Sequence, residues 1–443
     1  MAYQREYNAS FGELGAEIAS RWPEKTVIAK KGKKTDTLGL ALSGGGYRSA
    51  IFNYGILKGL YKIGVIDKID YLSVVSGGSW IGTAFALTNE LRWFFDEIED
   101  HPNLIEEGFE SFLANPLRVG QELRLARRNV NYVSNLYGRL LARTFLRESG
   151  QEARYKEMAD RSMIKDKDRP FLIVNGTVNF RSPGSFHVTQ ECFEMTRLYC
   201  GSRSLGYVHS KDLHASEKPI RVRDAIAMSG AALAFHLPAL GSEVAGMGLS
   251  REVVNYARGQ GGAPADAPDA SHLDVADGGF YNNLGVESLV NRGCGYIIIV
   301  DAEYDPESKH DDRSGQSYTG LRTLLKRHHI KTAFGNDPDD VINGLDQVNK
   351  PLHVFKGDDK IPDMLYIKLK SWDEFDTAAA QEPYNKPDFF DNLFGGGDFS
   401  FDPQFSTAKL DYAFAEHRNL SELGSFIVTE HRKKIEAFVA KSK

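Results

Sequence analysis

The chain has 443 residues, long for one hydrophobic core and long enough for up to three small ones. Its 54 basic and 60 acidic residues leave a formal net charge of -6, which gives no support to a nucleic-acid partner, since such proteins carry a basic field. A hydrophobic fraction of 42% and a charged fraction of 26% fit a soluble globular chain, and no run approaches the roughly 18 apolar residues of a membrane-spanning helix.

Cys192, Cys200 and Cys294 have no metal-ligand spacing, and an odd count argues against a disulfide framework, so a reducing compartment is expected. The first thirty residues lack an apolar signal-peptide core. A cytoplasmic location, at most peripheral to a membrane, follows as the expectation.

Residues 1–36 read as a polar entry segment with a short helix. Leu38 to Leu42 is a short apolar run that stops at Gly44, Gly45 and Gly46, the pattern of a buried strand ending in a tight turn. Ile51, Tyr54, Leu57, Leu60 and Tyr61 then recur at helical spacing, and Gly64 closes the helix. Strand, glycine turn and helix make an α/β unit. A second unit follows, with the strand-like DYLSVVS entering the helical GGSWIGTAFALTNEL. Residues 88–160 are charged and periodic and predict amphipathic helices, either an insertion or a helical layer.

Strands return at 170–180 and, less clearly, at 184–195. Residues 221–237 predict a small-residue-rich helix or helix–turn pair, 259–270 a loop, and 272–279 a strand edge entering a glycine turn. The β-branched run of GYIIIVDA at 295–302 fits a central strand of a parallel sheet. A late strand is expected at 364–370 and a charged helical tail at 409–442. The organisation is an entry segment (1–36), a main domain (37–370), and a C-terminal aromatic/glycine loop with a helical tail packed on the core (371–443).

Ser76 stands between a strand and a helix and is followed by Gly77 and Gly78. Such a turn exposes the hydroxyl, and the helix start offers backbone N–H groups to a developing oxyanion. The G-x-S-x-G pattern is incomplete, because Val74 holds the first glycine position; it fits only where the neighbouring helix leaves room. Ser76 could also simply cap the helix. The glycines 44–46 lack the G-K-[ST] ending of a P-loop and the spacing of a dinucleotide fingerprint. Successive glycines do allow backbone N–H groups to converge.

VVSGGSW resembles the nucleophile motif of fungal phospholipase B and cytosolic phospholipase A2. SGGGYR resembles the glycine-rich turn of that group and of the patatin-like phospholipases. The resemblance covers about residues 36–302 and implies an α/β fold, a three-layer α/β/α sandwich with a mixed, mostly parallel sheet of patatin-like topology and a helical insertion. It implies Ser76 as nucleophile and Asp277, in ADGGF, as its base. It places Gly45, Gly46 and Gly77 in the oxyanion hole and gives Arg48 the substrate phosphate.

The implied activity is hydrolysis of carboxylic esters in phospholipids or lysophospholipids through an acyl-enzyme, without metal or cofactor, at a transiently contacted membrane surface. An esterase acting on small or neutral esters, and a non-catalytic membrane-surface binder, are the alternatives. Asp274 is a rival to Asp277, and a calcium or magnesium site at the two lacks the expected ligand series. A Ser–His–Asp triad would draw on His310, His328, His329, His353, His417 or His431, the histidines after Asp277. His236 reads as pocket or structural, and Asn282 and Asn283 as bonded to the turn or capping the next helix. Trp80, Trp93, Phe94 and Phe95 are candidates for an acyl channel, and the Phe/Gly-rich 384–405 for a membrane-facing or covering loop.

Overall fold

The computed structural model describes residues 2–3, 35–88, 91, 94–95, 137–139, 141–142, 145–146, 170–180, 189–197, 199–202, 205–210, 214–215, 218–231, 251–255, 272–303, 351–357, 362–381, 401–404 and 414–442. In chain order the elements begin with β1 (Ala2–Tyr3), β2 (Thr35–Leu42), α1 (Gly46–Lys62), β3 (Tyr71–Val75) and α2 (Gly77–Leu87). Strands β4 (Phe171–Phe180), β5 (Thr189–Met195), β6 (Tyr199–Ser202), β7 (Gly206–His209), β8 (His214–Ala215) and β9 (Lys218–Pro219) follow. Then come α3 (Val222–Ser229), β10 (Arg251–Val254), β11 (His272–Asp277), α4 (Gly279–Asn282), α5 (Glu287–Asn291) and β12 (Cys294–Asp301). The chain continues with β13 (Leu352–Phe355), β14 (Asp363–Lys368), α6 (Asp373–Ala379), α7 (Phe414–Glu430) and α8 (Arg432–Val439).

Twelve strands form one sheet in the order β1-β7-β6-β5-β4-β3-β2-β12-β14-β13, with β11 joining β4 and β10 joining β11. The five central strands, β4 to β14, run parallel. Outside them the pairings among the described residues are antiparallel. The sheet is therefore mixed, and the expected parallel order holds at its centre.

Alternation along the central strands builds the layers. Leu38, Leu40, Leu42, Val74, Ile298 and Val300 join one core with residues of α1, α2 and α7. Ala41, Ile297 and Ile299 join a second core with Leu284, Val286 and Leu289 at α5. A continuous apolar run is thus required in β12, because both faces of the sheet are covered. On the first face α7 lies against α1: a β-carbon at Gly55 would fall on the Ser421 carbonyl oxygen. Lys58 of α1 also pairs with Glu422 of α7 at 2.9 Å.

The strand β4 positions the site. One of its edges is shared by two strands that arrive from opposite directions. β3 pairs with its first half in parallel, as far as Val75 opposite Asn175. β11 pairs with its second half antiparallel, as far as Asp277 opposite Gly176. The carboxyl ends of β3 and β11 therefore meet head to head, which brings together Ser76 and Asp277, separated by 201 residues in sequence.

Most of the predicted helical region at 88–160 lies outside the described residues. The exceptions include helical residues at 137–139 and 141–142, where Tyr137, Leu141 and Ala142 are buried in the main core. Loop 259–270, His236, His310, His328, His329, Trp93 and most of 384–405 also lie outside the described residues.

Candidate active site

Ser76 lies between β3 and α2 with φ 48 and ψ -123. Among the described residues it is the only non-glycine with positive φ. A side chain held there costs on the order of 1–3 kcal/mol, strain that characterises functional turns. Its Oγ donates to Asp277 Oδ2 at 2.8 Å. The reading of Ser76 as a mere helix cap does not describe this geometry, since its side chain makes no cap bond.

Val74 is accommodated by α2. It is wholly buried, and a β-carbon on Gly82 would stand 2.5 Å from Val74 Cγ1. The missing glycine of the elbow is thus offset by a glycine eight residues later. Gly82→Ala is expected to destabilise the chain by about 1–3 kcal/mol through overpacking. Combining it with Val74→Ala should recover much of that loss in urea denaturation, and simple additivity of the two changes would contradict this packing.

Asp277 ends β11 and is 2% exposed. Its Oδ1 accepts from Gly279 N at 2.7 Å while Oδ2 faces Ser76. Both oxygens are thereby assigned, and Asp277 stands where a triad would place its imidazole. Asp274 lies three residues back on the same strand, opposite Asn179. An odd offset directs its side chain to the other face of the sheet. Tyr137 donates to Gly230 O at 2.9 Å, and burial, followed by the charge of Asp277, pushes its phenol well above the ordinary range.

The glycine turn packs against the elbow. A β-carbon on Gly44 would be 3.0 Å from Ser76 Cβ, and one on Gly77 would collide with the Gly46 carbonyl oxygen. Gly45 has φ 136, a conformation that a side chain would strain. Gly46 and Gly77 open α1 and α2, so their N–H groups have no intrahelical acceptor. Gly44 differs: its N–H donates to Asn283 O at 2.9 Å, tying the turn to the chain after Asp277.

Arg48 occupies a different place from the one expected. It is 0% exposed, and its Nε and Nη2 donate to Ala302 O at 3.1 and 2.9 Å. In this arrangement it braces the glycine turn against the end of β12 and presents no exposed atom to a phosphate. The other expected candidates are also placed by packing. Phe94 and Phe95 pack with Tyr54 and Phe85, and Trp80 packs on Phe145. His417 lies against Tyr47, and burial pushes its imidazole down to about 4. His431 packs at a tilt on Trp372 and bonds Ile427 O through Nδ1 at 3.0 Å.

Two residues at the site escaped the sequence reading. Ser229 Oγ receives the N–H of Ser76 at 2.9 Å and donates to Asn175 O at 2.6 Å. Their available signals were a polar residue inside the apolar run FLIVNGTV and a hydroxyl in the small-residue segment MSGAA.

A three-layer α/β/α chain with a serine on a strained strand–helix turn, bonded directly to a buried carboxylate, defines the class. The patatin-like phospholipase family model matches residues 40–290, more than half of the chain, which therefore belongs to that family. Lysophospholipase 1 of Candida albicans is 26% identical over 162 residues, 31% of this chain and 26% of that protein. Human cytosolic phospholipase A2 epsilon is 25% identical over 227 residues, 47% of this chain and 26% of its own length. The matches to these two curated relatives thus span about a quarter of each. The structure of human GIVD cytosolic phospholipase A2 shares the fold, with a TM-score of 0.65 at 15% identity over 97% of this chain and 67% of that one. Among the described residues, no helix is long and apolar enough to cross a membrane.

Proposed function

We propose that this chain hydrolyses carboxylic ester bonds of phospholipids or lysophospholipids at a membrane surface, through a Ser76–Asp277 dyad and an acyl-enzyme. The observation that carries the reading is the 2.8 Å hydrogen bond from the Ser76 hydroxyl to the buried Asp277 carboxylate. The names of the lysophospholipase and cytosolic phospholipase A2 relatives support the substrate class.

Asp277 takes the proton of Ser76 Oγ as that oxygen attacks the ester carbonyl. The negative charge on the carbonyl oxygen is stabilised by the N–H groups of Gly45, Gly46 and Gly77. The C–O bond to the alcohol then breaks, and Asp277 returns the proton to the leaving oxygen. Water, deprotonated by Asp277, attacks the acyl-enzyme and releases the fatty acid, and Ser76 regains its proton. A carboxylate is a weak base for a hydroxyl, so the donors at the two helix starts must supply much of the stabilisation.

The test offers the purified chain a long-chain phospholipid, a lysophospholipid and a short neutral ester. Release of fatty acid from either phospholipid at well above the rate on the short ester is the expected result. Turnover of the short ester alone would replace this reading with a neutral esterase, an alternative favoured by the buried state of Arg48. Binding to vesicles with no turnover of any ester would leave a membrane-surface binder.

Arg48→Ala is expected to slow the phospholipid and the neutral ester alike, by roughly tenfold to a hundredfold, the scale of losing charge-assisted hydrogen bonds. A loss on phospholipid alone would restore a phosphate contact.

A further inference from the structure

The strained turn at Ser76 is held from one side by a single buried residue. Ser229 ends α3 and is 0% exposed. Its hydroxyl is used in both directions: it accepts the Ser76 N–H at 2.9 Å and donates its own hydrogen to the Asn175 carbonyl at 2.6 Å. A hydroxyl has one hydrogen, so these two bonds fix its rotor. The backbone of the same residue acts on the other partner, since Ser229 O accepts the N–H of Gly278, next to Asp277, at 3.1 Å. One residue therefore ties the nucleophile's amide and the amide beside the base to a common point.

Asn175, the residue to which Ser229 donates, is itself immobilised. It sits where β3 and β11 meet on β4. Its Nδ2 donates to Val74 O at 2.9 Å and to Ser73 Oγ at 2.8 Å, and its Oδ1 accepts from Ser288 Oγ at 2.7 Å. The carboxamide thus grips the strand leading into the elbow, and the backbone carbonyl orients Ser229. Ser229 and the Asn175 carboxamide nitrogen are thus directed at the elbow, the base turn and β3, while Ser288 holds the Asn175 Oδ1 from the other side.

We infer that Ser229 is a positioning residue for acylation, setting the alignment of Ser76 against Asp277 without touching the substrate. The inference rests on the assignment of those two as nucleophile and base. A hydroxyl that merely satisfied a buried carbonyl would affect how much chain folds. One that aligns reacting groups affects the rate of each folded molecule, because misplacement by about 1 Å costs up to roughly a hundredfold.

The experiment titrates active sites with a long-chain alkyl fluorophosphonate, identifies the labelled residue by peptide mass, and divides turnover of a soluble ester by the labelled fraction. Ser229→Ala is expected to lower kcat per labelled site by about tenfold to a hundredfold, with KM within about twofold. Ser229→Thr keeps the hydroxyl and is expected to recover most of the rate. A Ser229→Ala rate per site within about twofold of wild type overturns the inference, even if less of the chain is labelled. So does a threonine form that labels fully yet is as slow as the alanine form. A wild-type chain that turns over ester but takes no label at Ser76 overturns the nucleophile assignment and this inference with it.

Discussion

Replacing Ser76 with alanine is expected to lower ester turnover by about 10⁴-fold or more, because residues that act as one catalytic unit lose nearly the whole effect together. The chain should remain folded, since Ala keeps the β-carbon and the backbone bond from Ser76 N to Ser229 is unaffected. A second substitution separates chemistry from strain. At φ 48 and ψ -123 the elbow lies where glycine is at ease and other residues are not. Ser76→Gly should therefore be as inactive as Ser76→Ala, yet melt at a higher temperature, by an amount worth roughly 1 kcal/mol. Stability bought back by removing the nucleophile is the signature of a turn strained for function. Equal melting of the glycine and alanine forms would mean that the elbow stores no strain. Full activity in Ser76→Ala would remove the nucleophile altogether.

The turns that carry the proposed site are legible in the sequence, and the reason is local. Glycines 44–46 after the apolar Leu38–Leu42 and Ser76 after DYLSVV are legible as turns because turn chemistry is local, whereas Asp277 before Gly278 is singled out by the resemblance of ADGGF to the family's turn. The β-branched run of β12 was legible for the same reason. What sequence could not supply is the way β4 divides one edge between β3 and β11, which is a tertiary pairing with no local signature. From that pairing come the partnership of Asn175 with the elbow and the placement of Ser229, and neither residue stands in a recognisable motif. Arg48, to which the resemblance gives the substrate phosphate, has its guanidinium buried and bonded to the Ala302 carbonyl, a contact with no local signature. Val74 departs from the elbow pattern, and the room that it was expected to need on the neighbouring helix is supplied by Gly82, a match the strand alone does not reveal.

Asp277→Asn tests the base, and the geometry makes its outcome specific. The two carboxylate oxygens have different partners: Oδ1 accepts from the Gly279 N–H at 2.7 Å and Oδ2 from the Ser76 hydroxyl at 2.8 Å. An asparagine has one acceptor oxygen and one amino group. The backbone N–H can only donate, so the amide oxygen must face Gly279 and the NH2 must face Ser76. The bond to the nucleophile then reverses, with the serine oxygen accepting where it formerly donated. Its proton loses its acceptor and one of its two lone pairs is occupied, so turnover should fall by about 10³-fold or more, at the upper end of what a positioned base supplies. The double variant Ser76→Ala, Asp277→Asn should be no slower than Ser76→Ala alone, because the second change removes a partner whose substrate has gone. His417→Gln should stay within a few-fold of wild type, as expected for a neutral imidazole packed on Tyr47. If Asp277→Asn kept a tenth or more of the wild-type rate while a histidine substitution abolished it, the direct serine–carboxylate bond would be a structural contact and the base would lie elsewhere.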